Sequence, residues 1–176
     1  WSGGRRFTGH LFGNRDELRL VMQESAQGLT TEERAMISRV LDLQNITIRQ
    51  ITTPMNKVVA VPAQAPVAEV LALGRERGVN RLPVWREQQK QGERRVEGLL
   101  SIWSLLYAEN LDEKKTARDF LKPALFLDDE MRLEVALRQM QRTGQRLAIV
   151  LGRNQRELGI VSLQDILKTI FGEVRL

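Results

Sequence analysis

The chain has 176 residues, 42% of them hydrophobic and 28% charged, the balance of a globular protein with one core or two small halves sharing one. It contains no cysteine and one histidine, which excludes disulfides, thiolate metal sites and cysteine nucleophiles, and a single histidine cannot serve both a triad and a metal centre. The formal charge is +5, but basic residues alternate with acids, as in Arg75-Glu76-Arg77 and Glu93-Arg94-Arg95. Aromatics are only 5%, so neither a one-sided basic face nor a stacking platform for nucleic acid is expected.

In chain order, residues 1–14 are rich in Gly and Arg without periodicity and read as a tail, with His10 a surface residue. No initiator Met precedes Trp1, as expected of a fragment. Asp16–Ala26 has a helical stripe of Leu18, Val21 and Met22, stopped by Gly28. Thr30 with Glu33 forms a capping-box pattern that opens a second helix, apolar at Met36, Ile37, Val40 and Leu41. From Pro54 onward the chain repeats itself. Val58–Val61 is a short β run, Pro66–Arg77 a helix stopped by Gly78, and Arg81–Trp85 and Val96–Leu100 are strands around a polar stretch. Ser101 begins a helix through Trp103, Leu105 and Leu106.

The second half has the same order. Ala124–Leu127 is a strand and Arg132–Arg142 a helix, with Asp128 or Asp129 as its expected cap. Strands Leu147–Leu151 and Leu158–Val161 follow, then a helix Leu163–Phe171 ended by Gly172. Arg81-Leu82 aligns with Arg146-Leu147 at an offset of 65. Gly98-Leu-Leu-Ser101 aligns with Gly159-Ile-Val-Ser162 at an offset of 61. Two β-α-β-β-α units of this size bury too little surface alone, which predicts a pseudo-two-fold pair packed through its sheets.

The sharpest local feature is Ser162-x-x-Asp165 at the start of the last helix. Serine at N-cap with an acid three residues on is ordinary helix capping. The same groups suit a nucleotide: amides at a helix N-terminus take phosphate oxygens, and a carboxylate takes ribose hydroxyls. The first half has Ser101-x-x-Ser104 at this turn, and a hydroxyl is a weaker ribose clamp than an ionised carboxylate. Of the two turns, only Ser162-x-x-Asp165 is therefore well equipped. The acidic run Asp128-Asp129-Glu130 reads as helix capping, so no metal ligands are assigned.

Thr53-Pro54, Asn80-Arg81-Leu82-Pro83-Val84, Leu147-Ala-Ile-Val150, Gly159-Ile-Val-Ser-Leu-Gln-Asp165 and the terminal Asp165–Glu173 together resemble the tandem CBS-domain (Bateman) module. The likeness covers roughly residues 16–176 and is closest to the CorC/HlyC-type and CNNM-type magnesium and cobalt transport proteins. It implies an α+β fold of the CBS type: tail 1–15, helical connector 16–50, CBS domains at 51–113 and 114–176. It further implies a regulatory, non-enzymatic module with no catalytic residues, which binds ATP (AMP or ADP being alternatives), with Mg2+ carried on the nucleotide. The implied nucleotide contacts are Thr53, Asn80, Arg81, Leu82, Pro83, Ser162 and Asp165. Ser162 meets phosphate, Asp165 ribose, Thr53 supplies a hydroxyl, Arg81 reaches phosphate, and backbone groups and apolar atoms near Leu82 and Pro83 hold adenine. Asn80 departs from the Ser or Thr common there, though its amide still hydrogen-bonds. Relatives carry a membrane-spanning domain and associate as homodimers, implying a cytoplasmic position at the inner membrane face. A ligand-free dimerisation module and, more remotely, a basic nucleic-acid binder are the competing expectations.

Overall fold

The structure, a computed structural model, describes residues 28, 30–86, 95–109, 111–112 and 114–172. The expected tail, the helix at Asp16–Ala26, His10 and Glu173 lie outside the described residues. Thr30 opens α1 (Thr31–Leu43) with the capping box expected of it. The Glu33 amide donates to Thr30 Oγ1 at 3.1 Å, and the Thr30 amide to Glu33 Oε2 at 3.3 Å. Its apolar stripe is narrower than expected, since Met36 is exposed, while Val40 packs half-buried against the core and Leu43 is buried in it.

A 3-10 turn (Ile48–Ile51) leads into the two-residue strand β1 (Thr53–Pro54). The first half then runs β2 (Val61–Pro62), α2 (Val67–Arg77), β3 (Arg81–Trp85), β4 (Val96–Ser101) and α3 (Ile102–Leu106). The second half runs β5 (Leu125–Asp128), α4 (Leu133–Thr143), β6 (Leu147–Leu151), β7 (Glu157–Ser162) and α5 (Leu163–Phe171). In each half the first strand pairs parallel with the second, across the intervening helix, and the second pairs antiparallel with the third. Both antiparallel pairs shift register at the same place, Val84/Trp85 and Val150/Leu151. Such matched bulges mark a true structural repeat.

Three expectations change. The β run at Val58–Val61 becomes Val61–Pro62, because its start is taken up by the 3-10 turn Met55–Lys57, whose Met55 carbonyl accepts the Val58 amide at 3.1 Å. Neither Asp128 nor Asp129 caps α4; its N-cap is Arg132, which makes no side-chain cap bond. Asp128 instead accepts the Glu130 amide at 2.9 Å. The repeat offset before the hairpin is 66, not 65. The left-handed stops Gly78 and Gly144 share it, and so do Arg81 and Leu147, which face Ser101 and Ser162. The identical Arg-Leu pairs are therefore one residue out of structural register.

The entry segments cross over. β1 pairs antiparallel with β7, Thr53 against Ile160 and Pro54 against Gly159. The matching segment of the second half does the reverse, with Lys122 bridging to Leu99 on β4. Thr47 bridges to Arg132 and Thr116 to Pro66 in the same exchanged sense. Glycine permits each crossing. A Cβ on Gly159 would collide with the Thr53 carbonyl oxygen, and one on Gly98 would come within 2.6 Å of the Lys122 carbonyl.

Period-2 alternation then sorts the side chains. Leu82, Val84 and Leu100 fill a first core with Val67, Val70 and Ala117. Ala148, Val150 and Val161 fill a second with Leu133, Met140 and Ile166, to which Leu43 and Ile48 of the entry segment also belong. The opposite strand faces meet each other, as Val96 and Leu99 pack with Leu147 and Ile149. The two halves are thus joined through their sheets, as the repeat predicts. Each large apolar side chain buried there contributes about 1.5–3 kcal/mol relative to exposure.

Candidate functional site

Strand β7 delivers Ser162 to the N-cap of α5, where it and Asp165 close a capping box. The Asp165 amide donates to Ser162 Oγ at 3.0 Å, and the Ser162 amide donates to Asp165 Oδ2 at 3.0 Å. Thr169 Oγ1 donates to the Asp165 carbonyl at 2.8 Å, tightening the first turn. Both Ser162 and Asp165 are half-buried. The box uses one carboxylate oxygen, so capping and ligand binding do not compete for the whole group. An ionised carboxylate with a second oxygen available accepts hydroxyl donors more strongly than a neutral acceptor does.

Thr53 is brought to this turn by the crossing of β1. Directly opposed residues on paired strands share a face, so Thr53 lies on the face of Ile160 and, two residues on, of Ser162. That face is the one turned toward the first half, since Ile160 packs on the inter-sheet cluster. On the facing sheet, Pro83 is opposed to Leu99, another member of that cluster. Alternation puts Arg81 on the same face of β3. Arg81 is exposed and Pro83 buried.

The seven expected contacts therefore fall into two groups. Thr53, Ser162 and Asp165 are joined by strand pairing and a shared turn. Asn80, Arg81 and Pro83 stand on or beside the opposing sheet, and no hydrogen bond links the groups among the described residues. Leu82 differs from the rest: its side chain is wholly buried in the first core, leaving its backbone as the part that can face a ligand. Asn80 is exposed, and its carbonyl accepts the Ile102 amide at 2.7 Å.

Two features were not anticipated. Asp129 is buried and paired with Arg49, whose Nε donates to Asp129 Oδ2 at 2.6 Å. This ion pair fastens the entry segment to the second half, which explains an acid that capping does not. Among the described residues, no group of three or more His, Cys, Asp or Glu is placed to hold a metal ion. The other feature is Lys122, the structural counterpart of Thr53. The dipeptide Lys122-Pro123, repeating Thr53-Pro54, is the signal that points to it.

A family model described as the CBS domain matches residues 48–110 and 117–172, one match per half. The chain belongs to the CBS-domain family. Its pair is similar to the CBS domain of a bacterial CNNM/CorC-family Mg2+ transporter solved in complex with ATP. The two share 30% identity with a TM-score of 0.72, over 81% of this chain and 99% of that one. The pair is also similar to the magnesium and cobalt efflux protein CorC of Salmonella typhimurium, 27% identical over 164 residues, spanning 92% of this chain and 55% of that protein. A putative DUF21 domain-containing chloroplastic protein of Arabidopsis thaliana is 29% identical over 171 residues, 90% of this chain and 24% of the relative. The CBS pair thus spans between about a quarter and about half of these curated relatives. No described helix is long and apolar enough to cross a membrane.

Proposed function

We propose that this CBS pair is a regulatory module that binds ATP, alone or as Mg-ATP, between its halves, and makes or breaks no bond. The observation that carries this reading is the crossing of β1, which puts Thr53 on one face with Ser162 beside the half-buried Asp165 carboxylate. The Ser162 hydroxyl at a helix N-terminus, the Asp165 carboxylate in the same turn and the Thr53 hydroxyl on the paired strand offer contacts for the phosphate, ribose and base of a nucleotide. Arg81 and Pro83 supply a cation and an apolar wall from the opposing sheet. The ATP complex of the transporter CBS domain supports the choice of nucleotide. Mg2+ enters on the phosphates, which commonly hold it with water and few protein oxygens.

In the whole protein, the module sits at the cytoplasmic face of the membrane, joined to a membrane-spanning domain that moves magnesium or cobalt. Nucleotide binding shifts the arrangement of a homodimer by its differential affinity for two states. Exposed Trp103 and Leu106 on α3, Tyr107 at its C-cap and Phe171 on α5 favour self-association, and they equally support the second reading, a dimerisation module with empty clefts. Calorimetric titration with ATP, ADP and AMP, with and without Mg2+, separates the two. Saturable heat with an adenine nucleotide is expected, and no heat from any of them leaves the dimerisation module.

A further inference from the structure

Charges interspersed along the chain predict no one-sided basic face, yet helical spacing builds one. On α4, Leu133, Ala136, Leu137 and Met140 are buried. At about 3.6 residues per turn the opposite side carries Arg132, Val135, Arg138 and Arg142, all exposed. The offset of 66 shared by Gly78 and Gly144 matches these positions to Pro66, Glu69, Ala72 and Glu76 on α2. Three arginines and a valine therefore stand where the first half has two acids and no base.

Helix stability does not account for Arg132. A cation at a helix N-terminus opposes the helix dipole, and Arg132 makes no side-chain cap bond. Arg138 pairs with Glu134 at 2.7 Å, one turn back. Among the described residues, no hydrogen bond or ion pair engages the side chains of Arg132 and Arg142.

The connector enters the module beside this face. Thr47 bridges to Arg132, and Leu43 and Ile48 share one core with Leu133 and Ala136. Arg49, whose side chain is 60% exposed, stands in the same entry segment. We infer that the outward face of α4 rests on an anionic phospholipid surface. The inference rests on the reading of the module as joined through this connector to a membrane-spanning domain. Guanidinium groups suit lipid phosphates, which they bind through paired hydrogen bonds. A second copy of the chain is a poor occupant, because a two-fold contact sets the arginines of one copy against those of the other.

The test is sedimentation of the chain with phosphatidylcholine vesicles, with and without phosphatidylglycerol. The chain binds the anionic vesicles and not the neutral ones, and raised salt weakens the binding. Each basic residue near an anionic surface strengthens binding about fivefold, so Arg138→Ala/Arg142→Ala weakens it about twenty-five-fold. Arg75→Ala/Arg77→Ala, an equal loss of charge from exposed positions of α2, retains most of it. Circular dichroism checks that both variants fold. Equal losses in the two variants would reduce the effect to net charge and overturn the inference. So would a chain that ignores anionic vesicles, including one whose α4 arginines capture poly-glutamate instead, the mark of an acidic protein partner. ATP calorimetry on the same proteins keeps the nucleotide reading separate: a parent chain without ATP heat fails that reading, while the vesicles still decide this one.

Discussion

Replacing Gly159 by alanine probes the crossing on which the site depends. The added Cβ meets the carbonyl oxygen of Thr53, and it lies 2.8 Å from both Thr53 C and Thr52 Cγ2. Two of these contacts are backbone, so no rotamer change relieves them and β1 must move. Overpacking of this kind costs about 1–3 kcal/mol, and loosening the two-residue ladder adds about 1 kcal/mol per hydrogen bond lost. We expect a total of about 3 kcal/mol, read as a lower urea midpoint at unchanged slope. For a chain of this size that corresponds to a fall in Tm of roughly 6–12 °C. Gly144→Ala is the control. Its φ is +68° with nothing within 4 Å, so only the left-handed backbone is strained, at about 1–2 kcal/mol. Gly159→Ala should weaken ATP binding by displacing Thr53; Gly144→Ala should not. A Gly159→Ala protein within about 0.5 kcal/mol of the parent, the scatter of ordinary surface substitutions, would refute the steric argument.

Arg49→Ala strands the Asp129 carboxylate, which is 3% exposed. Breaking a fully buried pair costs about 3–5 kcal/mol, but the Arg49 side chain is 60% exposed, so about 1–3 kcal/mol is expected in urea unfolding. Thr30→Ala removes an exposed cap worth about 1 kcal/mol; hydrogen exchange should quicken in the first turns of α1 while the global midpoint holds. Asp165→Asn keeps the size of the side chain but loses its charge. Hydrogen bonds to charged groups contribute about 1.5–3 kcal/mol, so ATP affinity should fall about tenfold or more, with little change in melting.

The sequence made the regular elements and the repeat legible because these are written in local periodicity. Helix Leu163–Phe171 and its Ser162–Asp165 box emerge with the expected boundaries, since an amphipathic stripe and a capping pair are both local signals. The crossing of β1 was not legible. Two residues have no period, and their partner, Ile160, lies in the other half of the chain. Identity pairs Arg81-Leu82 with Arg146-Leu147, one residue out of structural register, whereas the helix stops Gly78 and Gly144 carry the correct phase. Strand alternation turns the Leu82 side chain into the first core, so the backbone groups expected near adenine are the part of Leu82 that can face a ligand. Acids before a helix usually cap it, so the local pattern points to Asp128 or Asp129 as a cap, and only the fold brings Arg49 to Asp129.

A crystal structure of the chain grown with ATP shows whether nucleotide binds at the Ser162–Asp165 turn. One nucleotide per chain is expected, with its ribose hydroxyls at about 2.5–3.0 Å from the Asp165 carboxylate and its base between Thr53 and Pro83. A nucleotide seated at Lys122 and Ser104 instead, or one that leaves Asp165 in contact only with its own helix cap, would contradict it.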